Sequence, residues 1–119
     1  MAELGKVTWV DLTVEDAPAI RDFYQQVIGW SPSPLQMSGG YDDYNMIPPG
    51  GTEAAAGVCH ARGNNAKLPP RWLVYVGVKD LAASVAAVER LGGRATMHSK
   101  NYWLIEDPAG AAMMIYQGE

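Results

Sequence analysis

Apolar residues recur along this chain with two periods, and the same succession of periods is written twice. Residues 9–30, WVDLTVEDAPAIRDFYQQVIGW, and residues 73–94, LVYVGVKDLAASVAAVERLGGR, align so that Val10 meets Val74, Val14 meets Val78, Asp16 meets Asp80, Val27 meets Leu91 and Gly29 meets Gly93. Each copy starts with strict alternation, the signature of a half-buried strand. An Asp follows, then apolar residues at helical spacing over about three turns, then glycine. A repeat of this kind predicts two half-modules built alike, with a site expected where the halves face each other.

The first strand is predicted at Val7–Val14, with Val10, Leu12 and Val14 toward the helix and Trp9, Asp11 and Thr13 on the other side. Asp16 is a good N-cap and Pro18 suits the first helical turn. Ile20, Phe23, Tyr24, Val27 and Ile28 then form one apolar stripe, and Gly29 ends the helix. Ser31-Pro32-Ser33-Pro34 reads as a stiff exit into a short strand at Pro34–Met37. Further strands are predicted at Tyr41–Ile47 and at Glu53–Ala61. The second of these is rich in alanine, which suggests close approach by a ligand or another backbone. Arg62–Pro70 is the one linker.

The pattern restarts after it. Strand Trp72–Val78, N-cap Asp80, helix Leu81–Leu91 and stop Gly92-Gly93 lead to strands at Arg94–His98, Asn101–Glu106 and Ala111–Gln117. Asp107-Pro108-Ala109-Gly110 is the last hairpin turn. The predicted order is therefore βαβββ–βαβββ in a single domain, with half-modules at 5–61 and 71–118 joined by 62–70.

Composition narrows the function classes. With 119 residues the chain is long enough for a core, and 48% hydrophobic with 18% charged residues is an ordinary globular balance. A net charge of −4 without a basic run argues against nucleic acid, whose phosphates need clustered Lys and Arg. One cysteine, Cys59, permits no internal disulfide and fits a reducing compartment. The opening MAELGKVTW lacks an apolar signal region, and no stretch nears the length of a membrane span. A cytoplasmic protein is expected. No H-E-x-x-H, paired C-x-x-C, G-x-G-x-x-G, P-loop or G-x-S-x-G spacing occurs.

A strand ending in V-x-D, a helix containing Phe23-Tyr24 and a closing D-P-x-G hairpin together resemble the vicinal oxygen chelate superfamily. That group holds glyoxalase I, bleomycin-resistance proteins and extradiol dioxygenases. The pieces Pro69–Val76 and Asp107–Ala111 look most like its glyoxalase-related predicted enzymes. The resemblance implies an α+β fold in which two βαβββ half-modules pair into a curved, barrel-like sheet around a central cavity. It also implies a homodimer. Catalytic relatives hold a divalent metal there through a His or Gln on the first strand of each half and a Glu on the last. The metal acts as a Lewis acid.

Carried onto this sequence, those four positions fall on Trp9, Leu73, Met114 and, with looser registration, Ala55. An indole N–H only donates, Leu and Ala offer no ligand atom, and a thioether suits soft ions. The usual metal centre is therefore expected to be absent, with no cofactor in its place. The two histidines, His60 and His98, are read as surface or hydrogen-bonded residues, and Cys59 as buried and inert.

Alternation offers Trp9, Asp11, Thr13, Leu73, Tyr75, Gly77, Met114 and Tyr116 to the cavity. The resemblance adds Asp43, Asn45, Tyr102 and Leu104. Trp103 is out of phase and is expected on the helix side, while Trp30 and Trp72 flank element ends and suit an interface. An aromatic-rich, mostly apolar lining suits a drug-sized or planar ligand. Two functions stand side by side. One is a metal-free small-molecule-binding protein that takes an aromatic or amphipathic compound. The other is a glyoxalase-like enzyme of the isomerase, lyase or dioxygenase class, with non-standard metal ligands or with Asp11 as general base. Asp11 could equally pair with Arg71 or Lys6, or face a dimer interface.

Overall fold

The computed structural model describes residues 3–118 and divides into two compact units. One unit is Val10–Trp72; the other joins residues 3–9 to residues 73–118. Eight strands and two α-helices give the expected α+β class, in the order β1 (Val7–Val14), α1 (Ala17–Ile28), β2 (Ser31–Gln36), β3 (Asp42–Ile47), β4 (Ala56–His60), β5 (Trp72–Val78), α2 (Leu81–Arg90), β6 (Arg94–Ser99), β7 (Tyr102–Glu106) and β8 (Ala112–Gln117).

Each unit carries the same internal topology. In the first, the strands lie in the order β2-β3-β4-β1; in the second, β5-β8-β7-β6. Three antiparallel strands return so that the last lies parallel to the strand that began the half: β4 beside β1, and β8 beside β5. A parallel neighbour requires a long crossover, and the helix with its meander supplies it. Neither set of four strands closes on itself.

The helix ends follow from their flanking residues. The Asp16 carboxylate accepts the Ala19 N–H at 3.1 Å, and the Asp80 carboxylate accepts the Ala83 N–H at the same distance. Gly29 stops α1 at φ 90°, where its N–H donates to the Gln25 carbonyl at 3.0 Å. Gln117 at the end of β8 pins the start of α2: its side-chain oxygen accepts the Leu81 N–H at 2.9 Å and its amide donates to the Lys79 carbonyl at 2.7 Å. The Asp107 carboxylate holds the last hairpin by accepting from Ala109 and Ala111 N–H at 2.8 and 3.0 Å.

Helix α1 lies on one face of its sheet. Ala17, Tyr44, Met46 and Val58 form the buried cluster, with Val14, Ile20, Tyr24, Trp30 and Trp72 packed around it. The valine side of β1 thus meets the helix as its alternation requires.

Six strands differ from the sequence reading in their bounds: β6 runs one residue further, to Ser99, β7 and β8 each start one residue later, at Tyr102 and Ala112, and the other three lie in the first unit. Strand β2 begins at Ser31 and takes in both prolines, rather than starting at Pro34. It is an outer strand of its sheet, and prolines two apart can both turn their donorless nitrogens away from β3. The alanine-rich strand is shorter than Glu53–Ala61: β4 starts at Ala56, so Ala55 precedes it. Strand β3 begins at Asp42, one residue later than expected.

Candidate functional site

The predicted lining residues sort onto the helix-free sides of the two units. In the first unit, Asp11 pairs with Gly57 and Thr13 with Cys59 across β1 and β4, while Asn45 pairs with Gly57 across β3 and β4. Paired residues point to the same face, so Asp11, Thr13, Asn45 and Cys59 share one side, and Asp43 joins them two residues before Asn45. This face is polar, and it is partly closed: Thr13 and Asp43 are each 4% exposed.

A buried carboxylate needs partners, and Asp43 has them. Its Oδ1 accepts the His60 backbone N–H at 2.8 Å and lies 3.3 Å from His60 Nδ1. The Cys59 thiol also donates to it. Burial, followed by the neighbouring Asp11 and Asp43 charges, pushes that thiol far above its ordinary range. Cys59, half-buried rather than buried as expected, is thus held protonated. His60 packs edge-on to Tyr41, ring centroids 5.2 Å apart, and beside Tyr44 at 6.3 Å. The guanidiniums of Arg62 and Arg21 lie over those two tyrosine rings at 4.5 and 4.7 Å. Sequence reasoning missed this cluster, because nothing local links Asp43 to His60.

In the second unit, Tyr75 pairs with Met114 and Gly77 with Tyr116 across β5 and β8. Leu104 pairs with Met114 and Tyr102 with Tyr116 across β7 and β8. Leu73, two residues before Tyr75, is on the same side. Here the predicted residues do come together. Leu73 and Met114 form a floor, 2% and 0% exposed. Tyr75, Tyr102 and Tyr116 form a contiguous aromatic row: Tyr102 meets Tyr75 at 5.9 Å and 74° and Tyr116 at 5.5 Å and 36°. The Tyr116 hydroxyl hydrogen-bonds Thr8 Oγ1 at 2.7 Å, and Thr8 also donates to the Tyr75 carbonyl at 3.2 Å. Gly77 leaves room beneath this row, where a Cβ would press on the Tyr116 ring at 3.3 Å. Trp103 pairs with Met97 and Ile115 on the opposite, helix-bearing side, as its phase predicts.

Strand β1 carries Trp9 in phase with Asp11 and Thr13, and both Trp9 and Asp11 have interaction partners. Lys6, offered by the sequence as a partner for Asp11, is bridged to Glu3 at 3.6 Å.

The glyoxalase-like domain family matches residues 8–116. This chain belongs to that family. Membership places it in the vicinal oxygen chelate superfamily, whose duplicated βαβββ order the two units show. CFP32 of Mycobacterium bovis is 32% identical over 95% of this chain, and the Streptomyces peucetius anthracycline biosynthesis protein DnrV is 33% identical over 75% of it. The chain spans about half the length of CFP32 (46%) and 31% of DnrV. Methylmalonyl-CoA epimerase from Mycobacterium tuberculosis superposes with a TM-score of 0.49 at 16% identity, over 91% of this chain and 84% of the other.

The residues that the resemblance sets at the chelate positions do not fit a divalent cation. Leu73 and Met114 are sealed into the floor and offer at most a thioether. Ala55 stands before β4 and borders a cavity beside α1. Among the described residues, no three of His, Cys, Asp and Glu lie together so as to hold a metal ion. His60 and Cys59 each hydrogen-bond Asp43 instead. No helix among the described residues is long and apolar enough to cross a membrane.

Proposed function

We propose that this glyoxalase-like chain is a metal-free binding protein for a planar aromatic small molecule, held against the helix-free face of the second unit at its tyrosine row. The observation that carries the reading is the pairing of a dry floor with an aromatic row. By the family resemblance Leu73 and Met114 fall at positions where catalytic relatives place metal ligands, and Tyr75, Tyr102 and Tyr116 stand beside them. Such a surface offers ring-stacking area at low cost in side-chain entropy. The relationship to DnrV, by its name a protein of anthracycline biosynthesis, supports a fused polycyclic compound as the ligand class. The assembled form is proposed to be a homodimer.

Micromolar affinity corresponds to about 8 kcal/mol, within reach of several stacked rings and a few hydrogen bonds. Calorimetric titration with an anthracycline tests the reading. Saturable binding at one site per chain is expected, weakened at least tenfold in Tyr102→Ala. Absence of binding across a panel of polycyclic aromatics would remove it. Turnover of such a compound, abolished in Asp11→Asn, would instead favour the enzymatic reading.

A further inference from the structure

A cavity of about 320 Å³ opens in the first unit on the side of the sheet that carries α1, the side opposite the polar face of Asp11 and Asn45. Its walls are three aromatic side chains from separate elements: Tyr24 of α1, Trp30 just after that helix, and Trp72 at the start of β5. They stand at angles rather than stacked. Tyr24 meets Trp72 at 5.3 Å and 76°, Trp30 meets Trp72 at 5.9 Å and 73°, and Tyr24 meets Trp30 at 5.8 Å. Rings arranged in this way leave faces and edges for a further ring to meet. The adjoining wall is Ala55 and Ala56, so two methyl groups stand where larger side chains would fill the space. Val10 and Ile28 complete the lining.

The chemistry of this space is specific. No charged residue lines it, so a charged ligand would lose its hydration without compensation. One polar handle is present. The Trp72 indole N–H donates to the Tyr24 hydroxyl at 3.1 Å, which uses the indole donor and an acceptor lone pair of the phenol. The phenolic proton remains to be donated. The volume lies at the lower end of the range of small-molecule pockets, about 300–1,000 Å³. We infer that this cavity is a second small-molecule site, which takes a neutral fused two-ring aromatic bearing one hydrogen-bond acceptor, received by the Tyr24 hydroxyl. It is separate from the tyrosine row of the second unit and does not depend on the function proposed above.

The test uses coumarin, a neutral two-ring lactone, and naphthalene, its analogue without an acceptor, followed by ligand-observed NMR and by tryptophan fluorescence. Both should bind the wild-type chain saturably, coumarin about fivefold more tightly, the gain typical of one neutral hydrogen bond. Ala55→Leu fills the cavity at an exposed position and should weaken both probes at least tenfold. Ala55→Val is the milder variant if the leucine perturbs folding, checked by circular dichroism. Tyr24→Phe should bring coumarin down to the level of naphthalene and leave naphthalene unchanged. Equal binding by wild type and Ala55→Leu would overturn the assignment. So would no binding of either probe to its solubility limit. A self-association that Ala55→Leu abolishes, with no effect of either probe, would show instead that a second copy fills the space. Anthracycline affinity should be the same in wild type and Ala55→Leu, so failure here and failure of the tyrosine-row site are read separately.

Discussion

Replacing Met114 by alanine separates a core residue from a degenerate metal position. Met114 is fully buried, and its strand β8 is flanked by β5 through Tyr75 and by β7 through Leu104. Truncation removes the thioether and the methylenes that fill this floor, and strands held on both sides cannot collapse freely into the gap. Large-to-small changes of this kind cost about 2–5 kcal/mol. For 119 residues, an unfolding entropy near 2.1 cal/mol/K per residue gives about 250 cal/mol/K at the midpoint. A loss of about 3 kcal/mol then lowers Tm by roughly 12 °C. Met114→Leu keeps the volume and should cost under about 1.5 kcal/mol. The assay is thermal unfolding by circular dichroism, paired with urea melts, on the apo chain with and without a chelator. The chelator should change neither melting point. If Met114→Ala shifted Tm by less than about 3 °C, or if both variants fell equally, Met114 would not be a packing residue, and the reasoning from burial would be wrong.

Three further outcomes follow from local geometry. Asp43→Asn removes one of the charges that hold the Cys59 thiol up, so its titration should move downward while burial keeps it above the ordinary range; iodoacetamide reactivity against pH reads this, and an unchanged profile would contradict the assigned contact. Gly93→Ala would drive a Cβ into the Glu106 carbonyl and to 3.0 Å from Val88 Cγ1, at a cost of about 1–3 kcal/mol in a urea melt; a neutral effect would refute the close approach. Burial depresses the His98 titration below its unfolded value of 6.5, so its contribution to stability is present above that pH and lost as pH falls through the lower folded value; His98→Gln should flatten that part of the stability profile, and NMR titration should place the imidazole below 6.5.

The sequence made the repeat and the helices legible because their signals are local. Asp16 and Asp80 cap as their positions require, Gly29 takes the left-handed conformation, and the phase of Trp103 assigned its side of the sheet. What was hidden depends on contacts between distant positions. The Ser31–Pro34 run reads as an exit by composition, and only an outer place in the sheet makes it a strand. Asp43 and His60 are far apart in sequence, and their pairing arises because β3 and β4 are neighbours. Trp30 and Trp72 stand at element ends in the sequence, and only the fold shows that they wall the cavity beside α1 with Tyr24. Spacing places a side chain on a face; it does not show which partners crowd it or where a void is left.

The most direct measurement of the account is anthracycline titration of the purified chain before and after exhaustive chelation, with the metal content of the same sample determined by mass spectrometry. One dissociation constant, the same in both preparations, with no stoichiometric divalent ion, is the predicted result. Binding that vanishes on chelation and returns with a divalent cation would contradict it.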